Sequence, residues 1–188
     1  MVQAPIKTLS LEEFLKLPET KPAREYIQRK IIPKPMPQGQ HSTIQVELTE
    51  AINAVVKKQK IARAYTELRC VFGGRAIVPD IAVFLWERIP VDENGNVANV
   101  FNLAPDWIIE ILSPNQNQTI VTEKILHALD CGSQMGWLID PESQSVLVYP
   151  RGQQPHFFSA KTAILPVPEL GKDLQLTVGE IFGWLKHQ

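Results

Sequence analysis

The spacing of apolar and polar positions changes along the chain, and each period predicts an element. Ser10 followed by Glu13 has the spacing of a capping box and predicts a short helix ending near Leu17 and Pro18. Arg24 to Lys34 alternates, with Tyr26, Ile31 and Ile32 apolar, which predicts one strand stopped by the prolines at 33, 35 and 37. After Gly39, the pair Ser42 and Gln45 repeats the capping-box spacing and opens a longer helix. Its Ile44, Leu48, Ala51, Ile52 and Val55 form one buried stripe at helical period.

Three strands are expected next, over 64–72, 76–86 and 106–112, the first two joined tightly at Gly73-Gly74. The stretch 87–104, with Asn94-Gly95 at its middle, reads as an exposed excursion or a minor hairpin. A helix from Thr119 to about Cys131 is closed by Gly132. Strands over 134–140 and 145–150 flank the turn Pro141-Glu142-Ser143, and a short strand, a proline-rich loop and a helix over 178–186 complete the chain. This order predicts an α/β (α+β) fold with a mixed central sheet flanked by helices.

Length and composition fit one globular domain over 1–188: 188 residues, 44% hydrophobic and 21% charged. No apolar run approaches the ~20 residues of a membrane span. Met1 to Thr8 lacks the apolar core of a secretory signal, and Cys70 and Cys131 stand without CxxC spacing, so we expect a cytoplasmic protein with free, buried thiols. The net charge of -1 hides a segregation: 13 Lys and Arg stand against 7 Asp and Glu in residues 1–75, and 6 against 13 in the rest. Lys57, Lys58 and Lys60 are read as a solvated helix end. His127 and His156 read as exposed and unpartnered, and the four tryptophans as packing residues. No phosphate-cradling GxxxxGK[ST] and no GxSxG is present.

Asp80 and Glu110 are lone acids in runs that are otherwise apolar on both faces. A carboxylate in a strand covered on both sides needs compensation, either from a basic or protonated partner or, for two acids in neighbouring strands, from a shared cation. Hard oxygen ligands suit Mg²⁺ or Mn²⁺. On the helix after Glu110, Val121, Ile125, Ala128 and Leu129 share an arc, and Lys124 lies on that arc while Glu123, His127 and Asp130 lie opposite. Lys124 therefore either faces an acid of the sheet, with Glu110 the nearest in sequence, or carries its ammonium along the stem to the surface.

In order, Glu25-Tyr26, His41, Val78-Pro79-Asp80, Trp107-Ile-Ile-Glu110-Ile-Leu-Ser113-Pro114, Thr122-Glu123-Lys124 and Gly136-Trp-Leu-Ile-Asp140-Pro141 resemble the Uma family of restriction endonucleases, in the PD-(D/E)XK restriction-endonuclease-like superfamily. The resemblance covers roughly residues 10–150, the nuclease core, and leaves 151–188 as a C-terminal extension. It implies a metal-dependent DNA endonuclease in which Asp80, Glu110 and the backbone carbonyl of Ile111 hold Mg²⁺ or Mn²⁺ and Lys124 serves catalysis. It also implies that Glu25 and His41 stand as outer members of the site and that two chains pair as a homodimer. The chain departs from the superfamily pattern at Leu112, where the lysine usually stands; the resemblance implies that Lys124 on the next helix takes its place. The competing reading is a non-catalytic module that binds nucleic acid or protein on the same fold.

Overall fold

The computed structural model describes residues 9–186; the reading of Met1 to Thr8 lies outside them. The elements are α1 (Leu11–Leu15), β1 (Arg24–Ile27), β2 (Lys30–Pro33), α2 (Gly39–Val56), β3 (Ala62–Thr66), β4 (Cys70–Phe72), β5 (Arg75–Ile77) and β6 (Ile81–Leu85). They continue with β7 (Trp107–Ile111), α3 (Gln118–Asp130), β8 (Met135–Asp140), β9 (Ser145–Pro150), β10 (His156–Phe158) and α4 (Val178–Gly183). The fold is α+β, as expected, but the strands form two sheets. A six-stranded sheet runs β10-β9-β8-β7-β6-β3, and a four-stranded one runs β2-β1-β5-β4. Among the strands of the described residues only β7 and β8 pair in parallel, with α3 as their crossover.

Three of the expected strands are broken, each for a local reason. Arg24 to Lys34 is a hairpin that turns at Gln28 and Arg29, both at positive φ. The run 76–86 splits at Val78-Pro79-Asp80, because Pro79 has no N–H to give a ladder; β5 then belongs to the small sheet and β6 to the large one. The run 64–72 also splits, into β3 and β4, one in each sheet, with Glu67 at positive φ between them. The turn at Gly73-Gly74 is as expected, both residues at positive φ. A side chain at Gly73 would also come within 2.5 Å of the His127 ring, so glycine lets this hairpin close on α3.

Of the capping boxes, Ser10/Glu13 forms, with Ser10 N donating to Glu13 Oε2 at 2.8 Å and Glu13 N to Ser10 Oγ at 3.1 Å. Ser42/Gln45 does not: α2 begins earlier, after Gln38, and Ser42 N makes a helical bond to Gln38 O. The excursion 87–104 has a bridge between Val91 and Val97, as a minor hairpin would, but it is anchored inward by buried Phe101. His127 is half-buried and stacks on Phe72 with ring centroids 5.4 Å apart, and Cys131 is exposed, so the two readings of these residues are corrected; Cys70 is buried. Lys57, Lys58 and Lys60 are exposed.

Strand alternation divides the core. Trp107, Ile109 and Ile111 of β7 and Ile81 and Val83 of β6 pack with Ile44, Leu48, Ile52 and Val56 of α2 and with α4. Ile108 and the pair Ala82 and Phe84 point the other way, towards Val121, Ile125, Ala128 and Leu129 of α3. Gly136 makes the second packing possible, since any side chain there would collide with Ile125 Cγ2. No helix among the described residues is long and apolar enough to cross a membrane.

Candidate functional site

The antiparallel register of β6 and β7 pairs Ile81 with Ile109, so one step further Asp80 stands opposite Glu110. Opposed residues share a face, and parity puts both acids on the α3 side, with Ala82, Phe84 and Ile108. Lys124 comes down on Glu110 from the buried arc of α3 and is itself buried. Its Nζ lies 2.9 Å from Glu110 Oε1 and 2.9 Å from Glu25 Oε1. Glu25, on β1, also accepts a hydrogen bond from Val78 N at 2.8 Å, which ties the small sheet to the break before Asp80.

Asp80 is surrounded by donors. Oδ2 accepts from Ile111 N at 2.7 Å and lies 3.2 Å from His41 Nε2, while Oδ1 accepts from Lys34 Nζ at 2.8 Å. Lys34 also donates to Val78 O at 2.8 Å and reaches Glu67 Oε1 and Oε2 at 3.0 and 3.1 Å. Gln45 Nε2 donates to Asp80 O at 2.8 Å and to Glu67 Oε1 at 3.1 Å. A cavity of about 330 Å³ opens on this side, its wall including Lys34, His41, Glu67, Asp80 and Ile111.

The two acids differ in electrostatics. Burial alone would raise Asp80, but the Lys34 ammonium and His41 hold its carboxyl well below the usual carboxylate range. Burial pushes Glu110 up to about 8, Lys124 opposing and Asp80 adding to the rise. Burial works against the charge of Lys124, yet Glu110 and Glu25 hold its ammonium above the ordinary lysine value. Glu110 Oε1 is held by the Lys124 ion pair at 2.9 Å and, among the described residues, accepts no further hydrogen bond. His41 Nδ1 is buried without a partner among them.

The chain thus gathers every residue singled out from the sequence, Glu25, His41, Asp80, Glu110, Ile111 and Lys124, at one sheet end. It adds Lys34 and Glu67, which the sequence does not mark, and Gln45, expected instead as part of a helix cap. Four carboxylates meet two ammonium groups there. The cluster thus holds two more acidic than ammonium groups, a donor set that fits a divalent cation. Among the described residues no group of three or more His, Cys, Asp or Glu is arranged to hold a metal alone. An ion at Asp80 and Glu110 would thus complete its shell from backbone and water, the ligation Mg²⁺ usually takes.

Two acids from neighbouring strands and a lysine from the following helix meet beside an open cleft, on a fold of the restriction-endonuclease-like class. Residues 11–179 match the Uma2 family, described as "Putative restriction endonuclease", and the chain belongs to that family. A crystal structure described as that of a "putative nuclease belonging to DUF820", from Anabaena variabilis ATCC 29413, has the same fold. It is 58% identical with a TM-score of 0.93, over 94% of this chain and 99% of that one. No curated protein matches the chain.

Proposed function

We propose that this protein is a metal-dependent endonuclease of the PD-(D/E)XK type that hydrolyses phosphodiester bonds in DNA. The observation that carries the reading is the meeting of Asp80, Glu110 and Lys124 in one buried cluster, richer in acidic than in basic groups, beside an open cleft. Asp80, Glu110 and the carbonyl of Ile111 hold Mg²⁺ or Mn²⁺. A bound divalent ion supplies Lewis-acid polarisation of a phosphate oxygen and a lower pKa for a water.

The chain's own residues do the rest. Glu25 and Glu110 fix Lys124 from two sides, so its ammonium is aimed before substrate arrives, and it orients the attacking water and meets charge developing on the phosphate. His41 holds Asp80 Oδ2 in place from the start of α2. Restriction-endonuclease-like proteins that cut both strands commonly use two such sites, so the working unit in this reading is a homodimer, and a cytoplasmic setting suits an enzyme with free thiols.

The test is cleavage of supercoiled plasmid and of single-stranded DNA with Mg²⁺ or Mn²⁺, with Asp80→Asn as control. Cleavage that needs metal and Asp80 is expected. DNA binding without cleavage by any metal would move the non-catalytic module ahead. That second reading draws on one observation: both ammonium groups already neutralise carboxylates in the cluster. Light scattering should give twice the chain mass of 21.2 kDa; the single mass rejects the dimer.

A further inference from the structure

We propose that Lys34 is a resident counter-ion that competes with the divalent ion for Asp80 and so sets how tightly the site takes metal. The inference rests on Asp80 being a metal ligand. The ammonium of Lys34 sits among four oxygens from three residues: Asp80 Oδ1 at 2.8 Å, Val78 O at 2.8 Å, and Glu67 Oε1 and Oε2 at 3.0 and 3.1 Å. Carboxylates with a backbone carbonyl are also what a hard cation gathers. Lys34 has thus taken a place of the same chemistry, on the same carboxylate, at hydrogen-bond distance.

The two lysines of the cluster are not equivalent. Lys124 is enclosed, with Glu25 and Glu110 on it and the core of α3 around its stem. Lys34 comes from the segment between β2 and α2, its own N–H fixed to Ala23 O at 2.9 Å, and its side chain forms part of the cavity wall with Pro35, Met36 and Asp80. It can leave Asp80 by rotation of its stem into that cavity, without displacing a strand. Glu67, with its side chain 43% exposed, can follow the ammonium and keep the ion pair as it withdraws.

A cation arriving at Asp80 meets a positive charge already in contact with that carboxylate, and the two repel strongly where the surroundings are poorly polarisable. Metal binding therefore includes the cost of moving Lys34. The same contact keeps the metal-free protein from carrying Asp80 as an uncompensated buried charge.

The experiment is Mn²⁺ titration without substrate, by calorimetry and by thermal melting, of the full chain and of Lys34→Met. The variant should bind Mn²⁺ on the order of tenfold tighter or more. It should also melt lower when metal-free and gain more from saturating Mn²⁺ than the parent does. Equal or weaker affinity in the variant overturns the inference and leaves the metal site standing. Binding by the variant alone supports it, Lys34 then excluding metal outright. Binding by neither protein removes both the inference and the metal site. Should Lys34→Met fail to fold without metal, Lys34→Gln, which keeps a hydrogen-bond donor, is refolded with Mn²⁺ and titrated instead; tighter binding supports the inference, and parental or weaker affinity overturns it.

Discussion

The ladder of β6 and β7 has a buried aspartate at each extremity, Asp80 beyond Ile81 at one end and Asp106 before Trp107 at the other. Asp106 accepts from Leu85 N at 2.8 Å, meets Arg88 Nη1 at 2.5 Å, and stands as one acid against one guanidinium. Arg88 also donates to Ala104 O at 3.1 Å, which pins the start and end of the excursion 87–104 together. At the other end four carboxylates meet two ammonium groups. Burial of an acid is common to both ends, so it does not mark a site. The surplus of acid over base, facing a cleft, does.

Substitutions at the two ends should therefore part company. The largest effect is expected from Asp80→Asn, which keeps an oxygen for Ile111 N but removes the charge. Metal-dependent cleavage should fall on the order of 10³-fold or more. Retained cleavage would make Asp80 as structural as Asp106. Lys124→Met keeps the buried stem and deletes the ammonium; single-turnover cleavage should drop about 10²- to 10³-fold, and full activity would remove Lys124 from the chemistry.

Asp106→Asn should act in the opposite sense, costing about 2 kcal/mol in urea unfolding while cleavage at saturating metal stays within a few-fold. Lost cleavage with unchanged stability would erase the distinction between the ends. The smallest effect is a pH slope. The folded state binds the Glu110 proton more tightly than the unfolded state, since burial raises this group to about 8 from 4.5. Its contribution to metal-free stability is therefore fully present below about 4.5 and is lost as pH rises towards 8, by at most about 1.4 kcal/mol per pH unit. Glu110→Gln should flatten that part of the urea stability profile, and an unchanged slope would assign it to another group.

Helical residues of the site were legible because their period is local. Lys124 could be put on the buried face of α3 from Val121, Ile125 and Ala128 alone, and the structure buries it there. The outer strands were less legible. A turn at Gln28-Arg29 has no glycine to announce it, and its flanks continue the alternation of a single strand. Pro79 was a visible breaker, but the run of apolar residues on both sides of it outweighed it. Gln45 fell at the right distance from Ser42 to imitate a cap, although its amide is turned to Asp80 O and Glu67. Lys34 was invisible for a different reason. A lysine between two prolines reads as solvated, and its partner Asp80 lies 46 positions away, a pairing that only the tertiary fold brings about.

The hand-over from one sheet to the other at Val78-Pro79-Asp80 gives the site a place in the order of assembly. Glu25 comes from a strand of the small sheet and Lys34 from the segment just beyond it, whereas Asp80, Glu110 and Lys124 lie along the large sheet and its crossover helix. Each sheet can begin from its own hairpins, whose closure is local and fast. The ion pairs Lys34–Asp80 and Lys124–Glu25 span long stretches of chain and join only after the sheets meet. The cluster is thus a late seal on the folded chain, and a partly folded molecule that still has both acids lacks the Lys34–Asp80 and Lys124–Glu25 contacts.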